Sequence, residues 1–344
     1  MILARRLAFL ASVLVSGSAH ADIAYEVLEF TDLPNWEQAA HDEALEAFRS
    51  TCPDMEDPDW HRLCAVSQNP TNAKSFFELF FRPVVISDGS DPLFTGYFEP
   101  ELNGSPRQSQ TFRYPVYSLP QGVKGKEPWY TREEIERDGI LEGQGLEIAW
   151  VDDPVDLFFA QIQGSARIRL PDGSAIRIGY AGHNGHSYLS IGKKLSDWGV
   201  FEKHQVSAKV IREWVRSNPG PGQQLLWTNP SYVFFARIEN RGNTDGPIGA
   251  MSRPLTEMRS VAVDPDYVPL GAPVWIEKDG RIPIRQLMVA QDTGSAIKGA
   301  QRADIFVGTG PEAGEWAGTM RDSGRMAVLF PIQRAFGLAL EADE

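Results

Sequence analysis

Cysteine is scarce: the 344 residues contain two, Cys52 and Cys64. Two thiols without paired histidines beside them cannot complete a tetrahedral zinc set, which disfavours a metal-built domain. Positive charge is also short. Lys and Arg number 33 against 46 Asp and Glu, a net charge of −13, which argues against a broad basic face for nucleic acid. Long apolar runs are missing outside the extreme N-terminus, so no interior segment approaches the roughly 20 residues of a membrane span. There is no G-x-x-x-x-G-K-[ST] loop, no dinucleotide fingerprint between a strand and a helix, and no G-x-S-x-G elbow. Nucleotide chemistry and a Ser-His-Asp hydrolase are therefore disfavoured.

What remains is an ordinary globular composition, 42% hydrophobic and 23% charged, with enough apolar material for one large or two ordinary domains. The N-terminus reads as a signal peptide. Arg5 and Arg6 precede a short apolar run, and Ala19-His20-Ala21 fits the small-x-small cleavage rule. Cleavage before Asp22 removes two Arg and no acid, taking the charge from −13 to −15. No Cys stands near that point for a lipid anchor. In an oxidising compartment Cys52 and Cys64, 12 residues apart, are expected to form one disulfide closing a loop that holds Pro53 and Pro58. Such a loop is worth about 3 kcal/mol in the chain-entropy view; the rival is two free thiols.

The pattern along the chain begins helical and turns β-rich. Helical spacing covers Trp36 to Phe48 and residues 72–81. After Pro83, short β-type runs alternate with Gly and Pro, including residues 114–119, 147–151 and 157–163. Residues 167–178 form a hairpin around Pro171-Asp172-Gly173-Ser174. Three helices interrupt the strands: one opened by a Thr131/Glu134 capping box, one over 188–198 and one over 207–217. Further strands are expected at 232–236, 260–263, 274–276, 287–290, 305–307 and 326–330.

Three aspartates stand at strand edges: Asp264, Asp292 and Asp304, separated by 28 and 12 residues. Aspartate is disfavoured in strands, which points to a purpose, although Asp264-Pro265 and Asp292-Thr293-Gly294 also read as turn starts. The spacing does not fit a calcium loop. His183 and His186 sit in a Gly-rich loop without a third ligand in view. That favours a loop lining a cleft or capping the next helix over a zinc site.

Five blocks, in order, resemble the membrane-bound lytic murein transglycosylase A (MltA) family. They are Gly96-Tyr97-Phe98-Glu99-Pro100; Phe159-Ala160-Gln161-Ile162-Gln163-Gly164-Ser165; the run 177–186; Asn229-Pro230-Ser231-Tyr232; and a C-terminal part, 260–264, 292–299 and 304–313, similar to the family's 3D domain. The resemblance implies a mainly β fold with a few helices. A double-psi β-barrel (22–105 and 237–344) would carry an inserted smaller β-barrel-like domain (106–236), with a glycan groove between them. Tyr97 would line one side of that groove and Asp304 the other.

It also implies cleavage of the β-1,4 bond between N-acetylmuramic acid and N-acetylglucosamine of peptidoglycan without water, leaving a 1,6-anhydro end. One carboxyl then serves as acid and afterwards as base, where a glycosidase that uses water needs two. Carried over residue by residue, the catalytic acid is Asp304, with Asp292 in support and Asp264 completing the trio. Tyr97, Gln161, Gln163 and Lys298 are groove residues. No metal or cofactor is implied. The partners are peptidoglycan glycan strands and, among proteins, other cell-wall enzymes. The compartment is the periplasm, with any outer-membrane association made without a lipobox Cys.

Two features depart from the family pattern: that missing Cys, and the segment Ala300-Gln301-Arg302-Ala303 before Asp304. Attraction of an anionic wall by so acidic a chain falls to local cations such as Arg253, Arg259 and Lys298. A hydrolase of the same glycan and a non-catalytic glycan-binding module are the alternatives. The exported protein should show an intact mass equal to residues 22–344 less two hydrogens; an acylated N-terminus or two alkylatable thiols would contradict this.

Overall fold

The computed structural model describes residues 23–55, 57–69, 72–239 and 246–341. The expected signal peptide, residues 1–21, lies outside them. The strands are β1 (Ala24–Val27), β2 (Phe81–Ser87), β3 (Leu93–Glu99), β4 (Glu101–Ser105), β5 (Tyr114–Tyr117), β6 (Glu147–Val151), β7 (Ser165–Arg169), β8 (Ala175–His183), β9 (Val233–Ile238), β10 (Ser260–Val263), β11 (Pro273–Lys278), β12 (Ile284–Asp292), β13 (Arg302–Thr309), β14 (Arg321–Asp322) and β15 (Gly324–Pro331). The α-helices are α1 (His41–Thr51), α2 (Pro58–Ser67), α3 (Ala73–Phe80), α4 (Arg132–Arg137), α5 (Pro154–Gln163), α6 (Ile191–Asp197), α7 (Ala208–Ser217), α8 (Pro219–Trp227), α9 (Pro311–Ala317) and α10 (Ile332–Glu341).

Two sheets organise them. The first has nine strands in the order β1-β2-β15-β11-β12-β10-β13-β3-β14. Its β10–β12 and β13–β3 pairs are parallel. The second has six, β5-β6-β4-β7-β8-β9, with β4 and β7 parallel and one isolated bridge from Ser118 to Phe235 on β9. The chain passes from the first sheet to the second at Pro100, between β3 and β4, and leaves the second after β9.

The architecture is mixed α/β rather than mainly β with a few helices. The clearest difference is at residues 157–163, where a strand is expected and α5 is found. Asp153 caps α5 by accepting from the Val155 and Asp156 amides, Pro154 occupies its first turn, and Gly164 ends it at φ 78°. Val155, Leu157, Phe158, Phe159 and Ala160 are all buried. Leu157 to Gln161 are buried in one unbroken run, and so short a run reads like a buried strand. Helices α2, α8, α9 and α10 also go unread in the sequence. The expected first helix is two pieces, a 3₁₀ turn at Trp36–Gln38 and then α1.

The main core lies against the first sheet and is closed by α1–α3, with Phe48, Phe76, Phe77, Phe81 and Trp275 almost fully buried. Cys52 and Cys64 are joined, their Cα atoms 5.5 Å apart; the closed segment holds Pro53, in a 3₁₀ turn after α1, and Pro58, at the start of α2. Gln291 fixes α1 to the sheet. Its amide donates to Ala47 O and Ser50 Oγ, and its oxygen accepts from Ser260.

One buried carboxylate joins the two sheets. Glu99, 1% exposed, ends β3. It accepts from Arg167 Nε (2.8 Å), Arg177 Nη2 (3.1 Å) and Thr309 Oγ1 (3.0 Å). Arg167 and Arg177 face each other directly across β7 and β8, a like-charge pair that is unfavourable without an anion between them. Removing one partner of such a buried cluster leaves uncompensated charge. Glu99→Gln should lower unfolding free energy by about 3 kcal/mol in urea titrations; an unchanged midpoint would mean that the cluster does not hold the sheets together.

Candidate active site

β13 alternates. Ala303, Ile305 and Val307 enter the main core, while Arg302, Asp304 and Phe306 face the other way. On β10, Val261 and Val263 enter the core and Ala262 does not. Ala262 pairs with Asp304 on β13 and with Asp292 on β12. Asp304 pairs in turn with Thr95 on β3, and Thr95 with Arg321 on β14. One row across five strands therefore reads Asp292, Ala262, Asp304, Thr95, Arg321. The two acids are two strands apart, about 10 Å between Cα atoms at ordinary strand spacing, with only a methyl group between them.

A bulge sets this register. Val261 pairs with Ala290, yet Ala262 pairs with Asp292, so β12 carries one extra residue. Gln291, the residue passed over, points its amide to α1. Without the bulge Gln291 would stand opposite Ala262 and the acid would be out of the row.

The carboxyls have different surroundings. Asp292 accepts three hydrogen bonds: Oδ2 from the Tyr97 hydroxyl at 2.8 Å, and Oδ1 from the Ala250 and Thr293 amides, both at 2.9 Å. Burial raises its pKa; the three donors oppose that rise and the charge of Asp304 adds to it, leaving it above the ordinary value. Asp304 accepts one hydrogen bond, at Oδ1 from Thr95. Burial raises its pKa, and the Thr95 bond and the Arg302 cation offset part of the rise. Both side chains keep some solvent contact at their rims. Tyr97 lies over Phe306 with ring centroids 5.5 Å apart. Burial, then the negative charge of Asp292, pushes its phenol well above the usual range, so it stays a donor.

The other expected residues are distributed as follows. Tyr97 is on β3, in the same sheet as Asp304, and not across a groove from it. Asp264, 2% exposed, accepts from Lys298 Nζ at 3.0 Å and from the Gly299 amide at 2.9 Å, and shares no hydrogen bond with Asp292 or Asp304. Burial raises its pKa, but these donors outweigh burial and the net direction is down. Lys298 is therefore engaged with Asp264 and Asp266. Gln163 accepts from the Phe98 amide at 3.1 Å, tying α5 to β3. Gln161 is 4% exposed; its amide donates to Val233 O and its oxygen has no protein partner. Arg253 pairs with Asp54, and Arg259 is buried against Glu43, so neither is a cation held out to a ligand.

The histidine loop is a structural staple. Asn184 donates to Tyr130 O and Pro230 O and accepts from the Tyr232 amide, while His186 Nε2 meets Trp129 O. Among the described residues no group of three His, Cys, Asp or Glu is placed to hold a metal. Thr95, Ala262 and Arg302 go unread in the sequence. Period-2 alternation from Tyr97 and Asp304 marks Thr95 and Arg302 as sharing their faces, but only strand register brings the two faces together.

Two buried carboxyls with raised pKa values, one held by three donors and the other by one, fit carboxyl-based acid–base catalysis. Comparison with known proteins narrows the class. Residues 93–236 match the MltA specific insert domain and residues 259–330 the 3D domain. Membrane-bound lytic murein transglycosylase A of Vibrio cholerae is 36% identical over 268 residues, 73% of this chain and 70% of the relative. That of Escherichia coli K12 is 38% identical over 248 residues, 69% of this chain and 65% of the relative. Among solved structures, MltA from Neisseria gonorrhoeae superposes with TM-score 0.80 at 34% identity, covering 90% of this chain and 93% of that one. E. coli MltA with bound chitohexaose gives TM-score 0.71 at 29% identity, covering 87% and 90%. The chain belongs to the MltA family.

The raised carboxyls have a stability consequence. A group whose folded pKa lies above its unfolded value stabilises the fold below the unfolded pKa, and that contribution is lost as pH rises through the folded one. Asp304→Asn should therefore unfold at a higher temperature than wild type at pH 7, with the difference closing near pH 4. A variant less stable at pH 7 than at pH 4, relative to wild type, would contradict the direction given for Asp304.

Proposed function

We propose that this chain is a lytic murein transglycosylase acting on peptidoglycan. It cleaves the β-1,4 bond between N-acetylmuramic acid and N-acetylglucosamine and closes a 1,6-anhydro ring. The observation that carries the reading is the asymmetry of the two carboxyls. Asp292, held by three donors, is the fixed supporting carboxyl. Asp304, with one donor and a free oxygen, is the group that holds a proton and gives it up.

In the reaction, Asp304 protonates the leaving O4 of N-acetylglucosamine as the C1–O4 bond of N-acetylmuramic acid breaks. The sugar's own C6 hydroxyl attacks C1 and passes its proton to the Asp304 carboxylate, which restores the acid. The attack is intramolecular, so no second carboxyl is needed to activate water. Asp292 faces the positive charge that develops at C1 and keeps Tyr97 in place. Asp264 acts indirectly, by holding the 298–299 loop that leads into β13.

We further assign the two sheets to two lobes. The first is a double-psi barrel built around the β10–β12 and β13–β3 parallel pairs, and the second is a smaller barrel inserted between β3 and β10. The glycan lies between them, where Gln163 and Glu99 link the lobes. Chitohexaose bound to the E. coli relative supports a glycan ligand. The signal-peptide reading supports periplasmic action; no described helix is long and apolar enough to cross a membrane.

On purified sacculi, Asp304→Asn should bind but lose about 10²–10⁴-fold in muropeptide release. Asp292→Asn should lose less, and its alkaline limb should move to lower pH, because removing a like charge lets Asp304 ionise more readily. Products of wild type should be lighter by one water than those of a hydrolase. A dead Asp292→Asn beside an active Asp304→Asn would reverse the assignment, and binding without release would leave only a glycan-binding module.

A further inference from the structure

Arg302 belongs to the segment in which this chain departs from the family pattern, and it shares a face of β13 with Asp304. Its Nη2 donates to Thr95 Oγ1 at 2.9 Å, and its Nη1 donates to Ala303 O at 2.7 Å and Leu93 O at 3.3 Å. A guanidinium has donors only, so at that contact the Thr95 oxygen must accept. A hydroxyl has one hydrogen. With its oxygen facing Arg302, that hydrogen goes to Asp304 Oδ1. Oδ1 is then occupied as an acceptor, and Oδ2 is left to carry the proton.

We propose that Arg302 is a positioning residue for the catalytic acid: it commits the Thr95 hydrogen to Oδ1 of Asp304 and so designates Oδ2 as the oxygen that delivers and recovers the proton. This rests on the reading of Asp304 as the acid. The relay has two effects. It orients the carboxyl by a hydrogen bond that any rotation would break, and it sets a fixed positive charge near the carboxylate formed when the proton leaves. The charged and titratable groups around Asp304 are Asp292 from β12, Tyr97 from β3, Arg302 on its own strand and, beyond Arg302, Arg321 from β14. Arg302 favours ionisation of Asp304, and the charge of Asp304 in turn raises the pKa of Asp292. Burial lowers the pKa of Arg302 itself, Arg321 adds to that, and Asp304 acts against it, yet a guanidinium remains charged throughout the working range.

The experiment uses full-length mature protein, wild type and the variants Arg302→Met, Thr95→Val and Thr95→Ser. Muropeptide release from sacculi is followed from pH 4 to 9, and the Asp304 carboxyl is titrated by ¹³C NMR in aspartate-labelled protein. Arg302→Met should move the alkaline limb and the NMR titration together to higher pH, by roughly half to one unit, because an opposite charge has been removed. Thr95→Val should lose roughly 10-fold or more in rate while still binding sacculi, and Thr95→Ser, which keeps the hydroxyl, should stay near wild type. Coincident titrations for Arg302→Met and wild type, or equal losses for Val and Ser at position 95, would overturn the proposal. The NMR titration does not depend on turnover. If Asp304→Asn kept full activity, the reading of the acid would fail while the relay could still be judged.

Discussion

Two carboxyl groups stand on one face of a sheet, two strands apart, with an alanine methyl between them. Holding such a pair is costly, because burial and mutual repulsion both work against charge. The surrounding structure answers with unequal support. Asp292 receives two backbone amides and a phenol, which fix its orientation and offset part of the burial cost. Asp304 receives a single hydroxyl. The bulge in β12 makes the row possible, and Gln291, turned to the opposite face, anchors that bulge to α1. A helix packed behind the sheet thus contributes to the position of an acid in front of it.

The second constraint is the joint between the sheets. Glu99 ends the strand that carries Thr95 and Tyr97, and it meets two arginines of the second sheet and Thr309 from the end of β13. Gln163 reaches the neighbouring Phe98 amide from α5. In the proposed reaction the glycan must span both lobes, so a joint fixed by buried charge also fixes where the sugar meets Asp304. Activity at the acid and stability at the joint are then coupled through β3.

Much of the site is legible from residue patterns. Asp292 and Asp304 stand out as aspartates at strand edges, and most strands after residue 110 follow from short β-rich runs bounded by Gly and Pro. The stapling role of the histidine loop is less visible, since only the fold shows Asn184 tying it to 130 and 230. Asp264 looks like its two companions in sequence, but Lys298 and Gly299, in a distant loop, donate to it and make it an anchor. Arg253, Arg259 and Lys298 look like free cations until their partners are known. Helix α5 is hidden because its five consecutive buried residues, Leu157 to Gln161, read like a short buried strand. Glu99 had a signal that was available: a hairpin turning at 171–174 sets Arg167 opposite Arg177, and such a pair calls for an anion from elsewhere.

The proposed chemistry turns on the absence of water from the bond-forming step. The most direct measurement is digestion of sacculi in H₂¹⁸O, followed by mass spectrometry of the released muropeptides. Attack by the sugar's own C6 hydroxyl draws no atom from solvent, so the expected result is anhydro products without ¹⁸O. One ¹⁸O at the new sugar end would show that water is the nucleophile and would contradict a single acid acting alone.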